Sequence, residues 1–385
     1  MDHLASAPKL FQPVQVGNIT LGHRVVFAPL TRLRADRRGA HSDMGMEYYA
    51  QRASFPGTLI ISEATYVASF AQGRSLHAPG VYTEDQIAAW KRGSFIHMQL
   101  WGVGRAARSP MLAELREQDP NFAYVSASDV PLSGRDEVPR PLTVAGKPSS
   151  KSDGGTLLTT KAEIKGYIAA FAQAARNAVE RAGFDGVEIH AAHGYLLEQF
   201  IHEGANRRTD EYGGSIENRC RFALEVVDAV SDAIGEHRSA VRISPWSDFQ
   251  DMKWDDPVPT FTYLVSRLAA DHPRLAYIHV VEPGISGAAD CSLQGGESNE
   301  FIRKIWLPRP LISAGGYTRD KALRVAEETG QLIAFGRPFP ATLQPDLPLR
   351  LLENIPLTPW DREVFYTPED PSGYIDYPFS GLGDY

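Results

Sequence analysis

Cysteine is scarce in this chain of 385 residues, which contains only Cys220 and Cys291. The two lie far apart in sequence, so neither a disulfide framework nor a thiolate metal site is indicated. Runs of apolar residues long enough to cross a membrane are also lacking, and the first residues do not show the charged and then apolar pattern of a secretory signal. These absences predict a cytoplasmic protein that does not enter a membrane.

An excess of positive charge is lacking as well. The chain has 39 lysines and arginines against 47 aspartates and glutamates, a formal net charge of −8. Because nucleic-acid phosphates require a basic face, this balance argues against nucleic acid as a partner. A local basic pocket for one small anion is still compatible with it. We therefore expect a small-molecule ligand.

Short apolar runs do recur, and helical patterns separate them. Strand-like runs are predicted at residues 24–29, 58–63, 94–100, 185–190, 240–244, 276–281, 310–314 and 332–335. Apolar residues at helical spacing predict helices at 161–182, 216–234, 260–270, 319–328 and 347–353. Eight strands alternating with helices predict an α/β fold, the (β/α)₈ or TIM barrel, as a single domain over residues 1–385.

Two segments fall outside this alternation. Residues 102–160, between the third and fourth predicted strands, show little periodicity, which in a compact domain is typical of a functional lid. We interpret this excursion as a cover over the barrel mouth. Residues 361–385 form a C-terminal tail after the last predicted helix.

Active sites of such barrels lie in the loops that follow the carboxyl ends of the strands. Chemically versatile residues stand at those positions: Thr31, Glu63, Gln99, Trp101, His190, His193, Tyr195, Arg242, Glu282, Gly315, Gly316, Gly336 and Arg337. The sequence therefore predicts one site at this end of the barrel.

His190, His193 and Tyr195 form the densest group of these residues. The two histidines could bind a metal, donate hydrogen bonds to a substrate oxygen or simply pack, and metal is the least favoured because their spacing is not a standard ligand spacing. Two donors aimed at one oxygen would polarise a carbonyl. Tyr195 could deliver a proton to a carbanion or enolate, and the alternative is a packed aromatic with its hydroxyl bonded.

Other candidates have similar alternatives. Arg242, in an interior strand pattern, needs an electron-rich ligand or a carboxylate such as Glu188 or Glu63. The glycines after the seventh and eighth strands, together with Arg337, suggest a phosphate site, although a glycine pair alone is more often a plain turn. Gln99 and Trp101 could contact a heteroaromatic ring or fill the barrel.

With these residues in place, the chain resembles the old yellow enzyme family of FMN-dependent, NAD(P)H-using ene-reductases. The resemblance spans nearly the whole chain, with motifs in order at residues 27–35, 61–64, 99–105, 190–195, 206–219, 313–316, 335–337, 365–366 and 373–378. It implies that FMN is bound non-covalently. The residues implied beside the flavin ring are Pro29, Thr31 (at its reactive edge), Ala64, Gln99 and Arg242, and those implied at its phosphate are Gly315, Gly316, Gly336 and Arg337.

The resemblance also implies a reaction. His190 and His193 would bind the carbonyl or nitro oxygen of an activated alkene, and Tyr195 would protonate the α carbon while hydride from the flavin reaches the β carbon. Pocket residues would be Trp101, Phe365 and Tyr366. The implied enzyme takes hydride from NADPH, reduces α,β-unsaturated carbonyl or nitro compounds, holds no metal, and is a monomer or homodimer.

Two alternatives stay open. One is a specialised flavin enzyme of natural-product biosynthesis that isomerises, oxidises or cyclises its substrate. The other is a metal-dependent hydrolase or lyase that would use His190, His193, His279 and Glu63.

The sequence departs from the family pattern in three places. The helix before the third strand is expected to be shortened after Trp90, residues 145–160 form a longer loop than usual, and residues 339–345 replace a shorter segment at the phosphate pocket. A shortened helix would affect stability and oligomer packing more than the active site.

Overall fold

The computed structural model describes residues 7–90, 95–119, 122, 125–130, 132, 160–287, 289–291, 295–336, 344–357, 361 and 363–381. Eight parallel strands, numbered one to eight along the chain, are Val25–Phe27, Leu59–Ile61, Ile96–Trp101, Gly186–Ala191, Ser239–Ile243, Tyr277–Val281, Leu311–Ala314 and Leu332–Phe335. Strand eight pairs with strand one and strand two with strand three, so the sheet closes on itself. The predicted (β/α)₈ barrel is confirmed, with all eight strands where the apolar runs placed them.

Helices surround this barrel. They are Asp43–Arg52, Glu84–Trp90, Ser109–Gln118, Lys161–Arg176, Leu196–Ile201, Ile216–Ile234, Val258–Asp271, Glu300–Trp306, Arg319–Thr329 and Leu347–Glu353. The five predicted helices are confirmed, and a π-helical turn at Asn177–Arg181 extends the first of them. A helix before strand three was also expected, and Glu84–Trp90 lies there. The prediction missed the other helices, of six to ten residues, because two or three turns give too few apolar repeats to stand out.

The barrel interior is divided between apolar and polar strands. Strands seven, eight, one and two contribute apolar side chains, and these pack with the antiparallel hairpin of Val14–Val16 and Ile19–Leu21. Leu59 and Ala276, at the amino ends of their strands, belong to this cluster, so the hairpin closes that end of the barrel. Strands three to six instead carry the buried polar side chains at the barrel centre, and the open end is the carboxyl end.

The excursion predicted at 102–160 is only partly described. Its first part contains the helix Ser109–Gln118, which corrects the prediction of little regular structure there, whereas 133–159 lies outside the described residues. The prediction of a long loop at 145–160 falls almost wholly in that part, and the interpretation of 102–160 as a lid stays a prediction. Most of residues 339–345 also lie outside the described residues.

The helix before strand three is Glu84–Trp90, and the shortening expected after Trp90 stays a prediction. Residues 91–94, which follow it, lie outside the described part. Among the helices that the structure describes, we find none with both the length and the apolar composition needed for a membrane span.

Candidate active site

A cavity of about 600 Å³ opens at the carboxyl ends of the strands. Its lining includes fourteen of the residues predicted from sequence: Pro29, Thr31, Ala64, Gln99, Trp101, His190, His193, Tyr195, Arg242, Gly315, Gly316, Gly336, Phe365 and Tyr366. Arg337 lies outside the described residues, and Glu63 and Glu282, which were also named at strand ends, are not among the lining residues. Residues from all parts of the sequence thus meet at one place.

His190 and His193 approach each other at the end of strand four, with ring centroids 6.0 Å apart and nearly perpendicular planes. Burial and the nearby Arg242 lower the pKa of His190 to about 3. His190 is therefore a neutral imidazole at ordinary pH. Its Nδ1 atom is buried and has no hydrogen-bond partner among the described residues, so it has bonding capacity to offer a ligand.

The turn that carries His193 is fixed through its backbone. His193 has a positive φ of 57°, its amide donates to Ser244 Oγ at 2.8 Å, and its carbonyl accepts from the side-chain amide of Gln250. The next amide, that of Gly194, donates to Glu198 Oε2 at 2.6 Å. A left-handed backbone conformation is uncommon for histidine, and these three hydrogen bonds offset its conformational cost.

Glu198 supports this turn from inside the protein. Its carboxyl is fully buried and also accepts from Ser244 Oγ at 3.2 Å. Burial raises the pKa of Glu198 to about 8, although the hydrogen bonds from Gly194 and Ser244 oppose the shift. The turn between the two catalytic candidates His193 and Tyr195 therefore rests on a largely protonated acid at neutral pH.

Tyr195 lies between two other candidate residues. Its ring meets His190 at a centroid distance of 5.0 Å and Trp101 edge-on at 4.9 Å, and Trp101 stacks in turn on Tyr66. Burial raises the pKa of Tyr195 above its ordinary value, so the phenol keeps its proton at neutral pH. The protonated phenol of Tyr195 thus lies with its ring against His190.

Below these residues, a charged group occupies the polar half of the barrel. Glu188 accepts a hydrogen bond from Gln99 Nε2 at 2.7 Å and lies 2.8 Å from His279 Nδ1. Burial opposes its ionisation, but His279, Arg242 and Gln99 together lower the pKa of Glu188 to about 2. Glu188 is therefore an anion that orients Gln99 and partly balances the charge of Arg242.

Of the two carboxylates suggested as partners of Arg242, one is found to interact with it. Glu188 interacts electrostatically with Arg242, whereas the other suggested partner, Glu63, accepts from the Arg32 amide at 3.1 Å and lies 3.4 Å from His41. Arg242 itself lines the cavity. Arg242 is therefore a cation of the cavity lining whose charge Glu188 partly balances.

Gly315 and Gly316 follow strand seven with φ values of 127° and 61°. A Cβ at Gly315 would come within 2.7 Å of Ile285 Cγ1, and the conformation is one that other residues rarely adopt. Both glycines border the cavity, as does Gly336 after strand eight. They leave backbone exposed to a ligand where a barrel often holds phosphate.

This chain's residues fit a bound flavin mononucleotide. A flavin pyrimidine edge presents both donors and acceptors, which the Gln99 amide and the Arg242 guanidinium can match. The glycines after strands seven and eight leave room for a phosphate, and a cavity of this size suits a cofactor with a small substrate. His190 and His193 line the same space.

The C-terminal tail completes the wall of the cavity. Arg34 Nη1 and Arg32 Nε donate to the carbonyl of Phe365 at 2.7 and 3.2 Å, and Arg34 Nη2 donates to Val364 at 2.7 Å. Phe365 is buried, while Tyr366 is 40% exposed at the rim. Sequence reasoning missed this anchoring role of Arg32 and Arg34, because carbonyl acceptors leave no signal in a sequence.

Several lining residues were also missed. They are Arg74, Arg108, Phe249, Ile285 and Gly287, all in loops at the open end. Phe249 packs against His193 with ring centroids 6.4 Å apart. Arg74 and Arg108 follow strands two and three at some distance, and their charge was the one signal that could have singled them out.

Two of the four residues considered for a metal have other partners. His279 is bonded to Glu188, and Glu63 interacts with Arg32 and His41. Across the ranges that the structure describes, no group of three or more His, Cys, Asp and Glu side chains is arranged to hold a metal ion. The geometry gives the hydrolase or lyase alternative no support.

Comparisons with known proteins show which family the chain matches. Residues 9–358 match the family model described as NADH:flavin oxidoreductase / NADH oxidase family. The chain is similar to the NADP-dependent oxidoreductase lnbE of Aspergillus flavus, with 45% identity over 97% of this chain and 96% of that protein, and to the chanoclavine-I aldehyde reductase fgaOx3 of Penicillium roqueforti, with 43% identity over 97% and 96%. Among solved structures, an Old Yellow Enzyme from Pichia sp. AKU4542 aligns with a TM-score of 0.81 and 35% identity over 98% of this chain and 95% of that one.

Proposed function

Because this chain belongs to the NADH:flavin oxidoreductase / NADH oxidase family, and within it to the old yellow enzymes, we propose that it reduces the activated C=C bond of α,β-unsaturated carbonyl or nitro compounds. It is an FMN-dependent oxidoreductase, and NADPH is its hydride donor. The observation that carries the proposal is the meeting of His190, His193 and Tyr195 over a cavity whose floor holds Gln99 and Arg242.

FMN, when bound, supplies the hydride chemistry between NADPH and the β carbon of the substrate. We assign the ring to Pro29, Thr31, Ala64, Gln99 and Arg242. The phosphate is assigned to the glycines after strands seven and eight and to Arg337, which the structure does not describe. Arg242 provides positive charge on the pyrimidine side, where reduction adds negative charge.

His190 and His193 bind the carbonyl or nitro oxygen. Since the pKa of His190 is lowered to about 3, His190 serves as a neutral hydrogen-bond donor rather than a cation. Two donors on one oxygen withdraw electrons from the conjugated double bond and stabilise the charge that develops on that oxygen. The fixed backbone turn at His193 keeps this donor in place without reorganisation.

Tyr195 gives its proton to the α carbon. Its raised pKa keeps the phenol protonated, and its contact with His190 puts the hydroxyl beside the bound carbonyl. Trp101, Phe365 and Tyr366 form the walls that select which alkene face is presented. We further propose that residues 1–385 form one domain, because Arg32 and Arg34 attach the tail to the barrel mouth.

A second candidate keeps the flavin but assigns a dedicated natural-product substrate. The name of the Penicillium relative, a chanoclavine-I aldehyde reductase, favours it. In that case the same donors would bind the oxygen of a larger aldehyde or ketone. Tyr366 at the rim of the cavity is exposed, which is consistent with entry of a larger compound from solvent.

The two candidates are separated by anaerobic half-reactions of the FMN-loaded protein. NADPH should bleach the flavin, and cyclohexenone or a nitroalkene should then restore its colour much faster than buffer does. Bleaching without faster recovery by any simple enone or nitroalkene would contradict the broad ene-reductase and favour the dedicated substrate. A protein that takes up no FMN would contradict both.

A further inference from the structure

Two arginines stand at the substrate end of the cavity without a role in the proposed reaction. Arg74 and Arg108 both line it, in the company of Tyr195 and Trp101. Their loops are joined, since the Arg108 amide donates to Gly73 O at 2.8 Å and Arg74 Nη1 donates to Ala106 O at 3.3 Å. The Arg74 amide is also bonded to the Tyr66 hydroxyl. The two cations are therefore carried side by side on one connected rim.

The charge of the cavity is opposite to that of the protein. The chain carries a net −8, yet the described residues that line the cavity include four arginines and no aspartate or glutamate. Arg32 holds the C-terminal tail through Phe365, and Arg242 lies on the barrel floor beside Glu188. Arg74 and Arg108 are thus the two lining arginines that lie at the mouth of the cavity.

Their field reaches the proposed proton donor. Burial raises the pKa of Tyr195, whereas both Arg74 and Arg108 act to lower it. A positive field of this kind would favour a negative group bound next to the phenol as well. The arginine fork suits carboxylate and phosphate oxygens, with which it forms charge-assisted and often bidentate hydrogen bonds.

We propose that Arg74 and Arg108 form an anion-recognition subsite that binds carboxylate or phosphate oxygens of a ligand lying over Tyr195. The subsite rests on the proposed function, because it determines which substrates or donors that reaction prefers. One source of the anion is a carboxylate on the substrate, and the other is a phosphate of the nicotinamide dinucleotide. The shared chemistry is an oxyanion some way from the reacting carbonyl.

The substrate arm uses a matched pair of enones, 4-oxopent-2-enoate and its methyl ester, with Arg74→Gln, Arg108→Gln and the double variant. If the substrate supplies the anion, kcat/KM for the acid should fall about tenfold or more per arginine, while the ester and cyclohexenone change little. Arg324→Gln, in an exposed position on helix Arg319–Thr329, removes the same charge and should leave both substrates unchanged.

The dinucleotide arm compares flavin reduction by NADPH and NADH in the same variants. If a dinucleotide phosphate is the anion, the bimolecular rate constant with NADPH should fall about tenfold in the arginine variants. An equal fall with NADH identifies the pyrophosphate that both donors share, and an unchanged rate constant with NADH identifies the 2′-phosphate of NADPH. An equilibrium measurement, calorimetric binding of the product pair 4-oxopentanoate and its methyl ester, checks the substrate arm without turnover. A fall for the acid alone supports the subsite.

The proposal is overturned if neither arm separates the arginine variants from Arg324→Gln. Unchanged reduction of cyclohexenone in that case would leave the proposed function standing. Conversely, if wild type reduces no enone, the proposed function fails, while product binding and the NADPH comparison still decide whether the rim recognises an anion.

Discussion

Glu198 Oε2 accepts a hydrogen bond from the Gly194 amide at 2.6 Å, which places a buried acid directly behind the turn between His193 and Tyr195. The Ser244 hydroxyl links the two sides of this contact, since it donates to Glu198 and accepts from the His193 amide. The carbonyl-binding donor and the proton donor are therefore held by one group whose protonation state changes near neutral pH.

Replacement of this acid should change how stability depends on pH. Burial raises the pKa of Glu198 from 4.5 to about 8, so between these values the folded protein holds a proton that the unfolded chain releases. The free energy of unfolding must then fall as pH rises through that window, by at most about 1.4 kcal/mol per pH unit, and level off above it. In Glu198→Gln this loss should vanish.

Urea unfolding of the FMN-loaded proteins at several pH values between about 5 and 9 measures the effect. Glu328→Gln, an exposed position, is the control and should follow wild type. Parallel pH profiles for wild type and Glu198→Gln would show that Glu198 is ionised throughout.

Loss of the phenol should slow only the second half-reaction. In Tyr195→Phe, we expect recovery of the flavin colour by cyclohexenone to be about 10²–10⁴ times slower, because the α carbon loses its proton donor. Bleaching by NADPH should stay near the wild-type rate. Tyr263→Phe, on helix Val258–Asp271 and not among the residues that line the cavity, should leave both steps nearly unchanged. An unaltered enone rate in Tyr195→Phe would remove the proton donor from the mechanism.

The alkaline side of the pH profile gives independent information on the same residue. Because burial raises the pKa of Tyr195, the donor stays protonated in mildly alkaline solution. The wild-type rate of enone reduction should therefore hold up to about pH 9. Stopped-flow traces across this range measure it, and a decline that sets in near neutral pH would point to another titrating group.

Removal of either histidine side chain should slow enone reduction, and an amide at position 193 should preserve part of the activity. His190→Ala is expected to lower kcat/KM for cyclohexenone by about 10²–10³, the usual cost of one oxyanion donor. At the second position, His193→Asn keeps a donor and should retain much more activity than His193→Ala. Equal losses in the two His193 variants would show that this side chain does not act as a donor.

A methyl group at Gly315 should weaken cofactor binding. Its Cβ would lie 2.7 Å from Ile285 Cγ1 and would occupy a φ of 127°, so Gly315→Ala must disturb the backbone beside the expected phosphate. Fluorescence titration of the stripped protein with FMN should give a dissociation constant raised about tenfold or more. Binding as tight as in wild type would place the phosphate elsewhere.

The same substitution at Gly166, Gly166→Ala, should stabilise the protein instead. Gly166 lies exposed inside helix Lys161–Arg176, and a Cβ there would meet nothing within 4 Å. The change should raise the free energy of unfolding by about 0.5–1 kcal/mol through helix propensity alone. Thermal unfolding checks it, and FMN affinity should be unchanged. A loss of stability would indicate a contact that this helix surface does not show.

Much of the barrel was predictable because its signal is local. Period-two and unbroken apolar runs reflect burial of individual strands, and long helices such as Ile216–Ile234 show the helical period over several turns. The short helix Ser109–Gln118 was missed because it shows the helical period over only a few turns. Barrel architecture then placed the site at the carboxyl ends, which is why fourteen of the predicted residues line one cavity.

The sequence by itself determined the eight strands, the barrel class and the side chains available for chemistry, since each depends on residue type and short-range pattern. Only the tertiary structure decided which loops meet: that Glu198 lies behind Gly194, that Arg32 and Arg34 hold the tail, and that Arg74 and Arg108 share the rim. These contacts join residues through ring closure and loop packing, and the free energy that selects them comes from burial and hydrogen bonds between distant segments rather than from local preference.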